Sequence, residues 1–231
     1  EERMARVSAF ALSHGHFDHF GGLPGIIRAN KSRIADGSPL YVGEEAFRHR
    51  LSRNPDTNEL RDLGRLDRGQ IEGPGPLRVV EINDPTEVIP GAYLTGRITR
   101  CVDYEVDNPT LLVERNGKKE VDDCRGEQAL IFNVKDEGLV VLSGCAHVGI
   151  INIVKTAQDL AGVEKVHAVI GGFHLVNASS DRIEQTIKAF LEIAPRYLVP
   201  AHCTGFEATR ALSLRMPDQF TLNTAGTTYT F

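Results

Sequence analysis

The feature that most constrains this chain is Ser13-His14-Gly15-His16-Phe17-Asp18-His19, which follows an apolar run over residues 7–12 and is closed by Gly21-Gly22. Four potential metal donors fall within six residues. Core packing asks for no such pattern. Imidazoles bind zinc, copper, iron or nickel through one ring nitrogen, and a carboxylate adds a hard anionic donor, so the mixed set suits a borderline divalent cation. On an extended segment His14 and His16 lie on the same side, whereas Asp18 and His19 follow after the chain has turned and face a second point. The spacing predicts two metal ions at a strand-to-loop exit.

The rest of the chain sets the bounds. At 231 residues with 41% hydrophobic content it is long enough for a single domain, 1–231. A net charge of -5 argues against nucleic acid as the main partner. No run reaches the length of a membrane span and no basic-then-apolar leader opens the chain, so the expectation is a soluble cytoplasmic protein. Cys101, Cys124, Cys145 and Cys203 are too few and scattered for a disulfide framework, and reduced thiols are expected.

Along the chain, 23–30 reads as a short helix, 40–42 as a strand and 44–53 as helical. Residues 54–75, polar and rich in Arg and Asp, read as an irregular insertion or lid. Segments 77–82 and 87–89 are strand-like. Asn116-Gly117 between 110–115 and 118–121 signals a hairpin with a type I′ turn. A second hairpin joins 129–134 to 139–142, and the latter, apolar on both faces, belongs in the centre of a sheet. That strand runs into Ser143-Gly144-Cys145-Ala146-His147. A helix follows over 150–160, stopped by Gly162, and the strand 166–170 ends in Gly171-Gly172-Phe173-His174. A helix begins near Asp181, with Glu184 three residues on as a capping signal, and stops before Pro195. The strand 197–199 ends in Pro200-Ala201-His202-Cys203. Three strands thus end in loops that carry a histidine, and in alternating β/α architecture such ends line one ligand-binding face. A short helix over 207–214 and strands at 220–222 and 227–231 complete the reading.

The run His-x-His-x-Asp-His resembles the signature of the metallo-β-lactamase superfamily. Ser-Gly-Cys-Ala-His, Gly-Gly-Phe-His-Leu and Pro-x-His-Cys-Thr-Gly narrow the similarity to a branch related to the dihydropterin–ribofuranosylaminobenzene-phosphate synthase of methanopterin biosynthesis. The resemblance implies an α/β (α+β) four-layer αββα sandwich. Proteins of this kind usually carry several strands before the histidine cluster. Their absence here leads to the expectation of a sandwich without its N-terminal strands, with a partner chain or homo-oligomer covering the edge. Under the resemblance His14, His16 and His147 hold one metal, and Asp18, His19 and His202 hold the other. Cys145 stands where the superfamily usually has a bridging carboxylate, either as a thiolate ligand or as a buried bystander. The acidic pair Asp122-Asp123 is set apart from the Ala129-Leu130 strand that it usually precedes.

The chemistry implied is a metal-dependent hydrolase, with two divalent ions, zinc first and manganese or iron as alternatives. Asp18 orients the water, and His174 protonates a leaving group or binds a phosphate or carboxylate of a small-molecule substrate. A metal ion lowers the pKa of bound water from 15.7 to roughly 7. Two alternatives stand beside this reading. One is a synthase that uses the same metals to bind a diphosphate leaving group, aided by Arg61, Arg65 and Arg68 if they point inward. The other is a metal-binding module without catalysis.

Overall fold

A computed structural model describes residues 7–73 and 75–231; Pro74, within the expected insertion, and the first six residues lie outside the described residues. In chain order the strands are β1 (Phe10–Ala11), β2 (Ser38–Val42), β3 (Arg50–Arg53), β4 (Leu60–Gly64), β5 (Leu77–Glu81), β6 (Thr86–Ile89), β7 (Ala92–Leu94), β8 (Leu111–Arg115), β9 (Lys118–Val121), β10 (Leu130–Val134), β11 (Gly138–Ser143), β12 (Val166–Gly172) and β13 (Tyr197–Ala201). The α-helices are α1 (Phe17–Phe20), α2 (Leu23–Ala29), α3 (Arg68–Glu72), α4 (Ile150–Ala161), α5 (Ser180–Ile193) and α6 (Phe206–Arg215). They fall into two compact units, one formed by Glu1–Asn83 with Asp107–Glu127, the other by Asp84–Val106 with Gln128–Phe231.

The first unit holds a parallel sheet in the order β1-β2-β5 and an antiparallel sheet in the order β4-β3-β8-β9. Its core gathers Leu12, Phe20, Leu23, Ile27, Leu40, Val42, Ile71 and Leu77. Each such side chain, fully buried, contributes about 1.5–3 kcal/mol. The chain leaves β1, runs through the histidine cluster and turns at once into α1 and α2, so the burial of Phe20 and Leu23 anchors the loop between them and the strand. The β8–β9 turn has Asn116 at φ 51° and Gly117 at φ 74°, the two left-handed positions that a type I′ turn demands. A backbone crossing ties the loop after β2 to the one before β10. A Cβ on Gly43 would lie 1.9 Å from the Gly126 carbonyl oxygen, and one on Gly126 would lie 1.7 Å from the Glu44 oxygen.

In the second unit a six-stranded sheet runs β13-β12-β11-β10-β7-β6, with β11, β12 and β13 mutually parallel. Strand β11 is interior, and residues 138–141 are buried throughout, as its unbroken apolar run predicts. Helix α4 buries Ile150, Ile151, Ile153, Val154 and Ala157 and ends at Gly162 in the left-handed conformation, φ 62°. Its first turn lacks a capping side chain of its own. The buried Glu105 carboxylate fills that role, accepting from the amides of Ile151 at 2.9 Å and Asn152 at 2.8 Å.

Four readings of the sequence need correction. Residues 44–53 are not helical: they turn and then form β3, because pairing with β8 outweighs the helix propensity of Glu44, Glu45 and Ala46. The insertion at 54–75 is not irregular, since it carries β4, hairpinned onto β3, and α3, capped by the Asp67 side chain. Helix α5 is capped by Ser179, whose side chain accepts from the Arg182 amide, rather than by Asp181 with Glu184. No strand forms at 220–222 or 227–231; the segment makes a single parallel bridge, Leu198 to Phe220, and Phe231 packs instead against His167 and Tyr197.

Candidate metal centre

The donors of the first unit lie on the segment between β1 and α1, which holds His14 and His16, and in α1 itself, which holds Asp18 and His19. His14 and His16 are buried, at 4% and 6% exposure, with ring centroids 4.7 Å apart and nearly perpendicular planes. His19 joins them, its ring 4.2 Å from that of His14. The Ser13 hydroxyl lies 3.1 Å from His14 Nδ1 and 3.3 Å from His19 Nδ1, so one short side chain fixes the orientation of two rings. Asp18 is the outermost donor, half-exposed, with its carboxylate 3.5 Å from His19 Nε2. A Cβ on Gly15 would come within 2.6 Å of the Ala46 carbonyl oxygen, which explains the glycine between the two buried histidines.

Behind His16 stands a residue whose role the sequence does not reveal. Asp122, 2% exposed, accepts from Arg50 Nε at 2.7 Å and from the Cys124 amide at 3.0 Å, and its Oδ2 lies 3.1 Å from His16 Nε2. Burial pushes this carboxyl up, but the hydrogen bond to His16 and the charge of Arg50 outweigh it and hold Asp122 well below the usual carboxylate range. A carboxylate on one ring nitrogen fixes the tautomer and raises the basicity of the other, as behind many metal-bound histidines. The donor set therefore fits a divalent cation. The second acid of the pair, Asp123, is taken up by Arg115 and Arg125, and Arg115 also binds Glu45. Arg68 pairs with Glu72 and Glu81 at the surface, so two carboxylates already claim one of the three arginines suggested for phosphate.

The donors of the second unit follow the parallel strands. After β11 come Cys145 and the buried His147; after β12 comes His174; after β13 comes His202, which starts a short 3-10 helix ending at Thr204. Each loop contains a residue forced to positive φ without being glycine: Ala146 at 61°, His174 at 46° and His202 at 48°. Such conformations cost about 1–3 kcal/mol and persist where the surroundings over-determine them. The loops are cross-tied by bonds from the Gly172 amide to the Gly144 oxygen, from the Phe173 amide to Thr204 Oγ1 and from the Val176 amide to the Cys203 oxygen. The rings of His147 and His174 lie 4.1 Å apart. Cys203 Sγ reaches the Cys145 carbonyl oxygen at 3.3 Å. A side-chain hydrogen bond with the Cys145 thiol, reinforced by His174, overcomes burial and draws the Cys203 thiol down to about 4. Sequence reasoning expected only a reduced thiol at Cys203; its place beside Cys145 follows from the β11-β12-β13 order. None of the four cysteines forms a disulfide.

Comparison with known proteins agrees with the geometry. The chain is 33% identical over 218 residues to the 7,8-dihydropterin-6-methyl-4-(β-D-ribofuranosyl)-aminobenzene-5'-phosphate synthase of Methanocaldococcus jannaschii, covering 93% of this chain and 72% of the relative. A crystal structure described as a metal-dependent hydrolase of the β-lactamase superfamily superposes with a TM-score of 0.78 at 31% identity, covering 94% of this chain and 77% of that one. Zinc-bound PqqB of Methylobacterium extorquens shares the fold alone, with a TM-score of 0.53 at 12% identity, over 100% of this chain and 76% of that one. No family model matches. Among the described residues no helix is long and apolar enough to cross a membrane.

Proposed function

Because this chain belongs to the metallo-β-lactamase superfamily, in the branch of the dihydropterin–ribofuranosylaminobenzene-phosphate synthase, we propose that it is a metal-dependent hydrolase of a small, phosphorylated substrate. The observation that carries this reading is the buried His14–His16 pair with Asp122 behind it, an arrangement built to present imidazole nitrogens to a cation. In the proposal His14, His16 and His147 hold one divalent ion, and Asp18, His19 and His202 hold a second. Bound ions of this kind supply a nucleophilic hydroxide near neutral pH and polarise the substrate oxygen.

The side chains divide the remaining work. Asp122 and Ser13 hold the rings of His16, His14 and His19 in register, so no reorganisation is needed when substrate arrives. Asp18, the most exposed carboxylate of the set, accepts a hydrogen bond from the attacking water and aims it. His174, held at positive φ beside His147, donates a proton to the leaving group or a hydrogen bond to its phosphate. A second reading, a synthase that releases diphosphate at the same residues, is favoured by the 33% identity to the Methanocaldococcus enzyme.

Elemental analysis of the purified chain, beside His16→Ala and His202→Ala, tests the shared premise. Near two equivalents of zinc or manganese, reduced in both variants, is the expected result; absence of metal even after reconstitution would overturn it. Turnover of phosphate esters without a second substrate then separates hydrolysis from synthesis.

A further inference from the structure

We propose that Cys145, His174 and Cys203 form a separate binding site for one thiophilic metal ion, built wholly within the second unit. The three residues come from the loops after β11, β12 and β13, and their two sulfurs and one ring nitrogen all lie within 4.8 Å of one another. Metal–sulfur bonds of about 2.3 Å and metal–nitrogen bonds of about 2.0–2.1 Å place the donors of one ion roughly 3.5–4 Å apart. The Gly172-to-Gly144 and Val176-to-Cys203 hydrogen bonds fix the loops, so closing the triangle falls to the side chains.

One further observation points to a ligand. His174 Nδ1 is buried without a hydrogen-bond partner, an unfavourable condition unless something takes its lone pair or proton. Gly172 lets the loops come this close, since a Cβ there would stand 2.5 Å from the Gly144 carbonyl oxygen and 2.8 Å from Cys203 Sγ. Two thiolates and one imidazole are a soft set, which selects Zn(II), Cd(II) or Cu(I) over Mn(II) or Mg(II). Both sulfurs bind as thiolates, so any proton still on a thiol is released, and no oxidation state changes. An ion held there also occupies the ring that the hydrolytic reading assigns to the leaving group, so loading it is inhibitory.

The test is titration of the reduced, metal-stripped full chain with Co(II), read by the near-ultraviolet sulfur-to-cobalt charge-transfer band. The expected result is a thiolate band that is lost in Cys145→Ser and in Cys203→Ser, persists in His16→Ala and His202→Ala, and needs at least tenfold more cobalt in His174→Gln. Absence of the band, or a band that survives Cys203→Ser and vanishes in His202→Ala, would overturn the site; the second outcome would give Cys145 to the two-ion set instead. Failure of the two-ion reading would leave the band intact, so the two failures are distinguishable. X-ray absorption on wild-type chain with one equivalent of Cd(II) requires no variant to fold. Two sulfur neighbours are expected, and one or none refutes the proposal.

Discussion

Replacing Arg50 by Met would remove the cation that neutralises the buried Asp122 carboxylate. The guanidinium is 5% exposed at its side chain and the carboxylate 0%, and they meet at 2.7 Å. Breaking a buried pair from one side strands the other charge, at a cost of about 3–5 kcal/mol. Arg50 also donates to the backbone oxygens of Glu45 and Arg48, which lose their partner in the same step. With a urea m-value of about 2–3 kcal/mol/M, the unfolding midpoint of the first unit should fall by about 1–2.5 M. The sign of the pH dependence follows from Asp122. Its pKa is depressed in the folded chain, so the stabilisation from ionised Asp122 is fully present above the unfolded value near 3.8 and is lost as pH falls through the folded value. The deficit of the variant is therefore full at pH 7 and shrinks once the pH drops below about 4. Arg53→Met, at an exposed position on the same strand, is the control. A deficit at pH 7 below about 1 kcal/mol, or one equal to that of the control, would refute the reasoning.

Three other outcomes are expected. Gly126→Ala forces two backbones apart and should cost about 3 kcal/mol, seen as a drop of roughly 10 °C in thermal denaturation. His49 hydrogen-bonds Glu114 at 3.0 Å and Asp62 at 2.8 Å, which raise its pKa; an NMR titration should place it above the ordinary imidazole value of 6.5, with the stabilisation complete below that value and lost as pH rises through the folded one. Ser179→Ala should lose about 1 kcal/mol of stability by urea unfolding, and Ser179→Asp should restore most of it, because either oxygen can accept from the Arg182 amide.

What the sequence disclosed followed from the range of the forces concerned. The Asn116-Gly117 turn, the apolar strand β11 and the glycine stop after α4 are local, and each is legible within a few residues. The His14–His19 cluster was legible for the same reason, since its donors are near neighbours along the chain. Asp122 was visible only as half of an acidic pair, because its partner His16 lies 106 positions away and no local rule says which carboxylate stands behind which ring. The strand before the pair, β9, is charged and exposed, so nothing local marks Asp122 as a buried acid. Residues 44–53 were misread because helix formers dominate that stretch, while the ladder that makes its end a strand is supplied by β8. The juxtaposition of Cys145 with Cys203 requires the strand order itself, which hydropathy does not encode.

The loops after β11, β12 and β13 start from strands whose positions are set by buried aliphatic side chains, and they are tied to one another by main-chain or hydroxyl groups. Chemistry and architecture thus draw on different residues. Over evolutionary time such an arrangement lets a lineage exchange the side chains at 145, 174 or 203, and with them any ligand held there, while the sheet beneath is inherited unchanged.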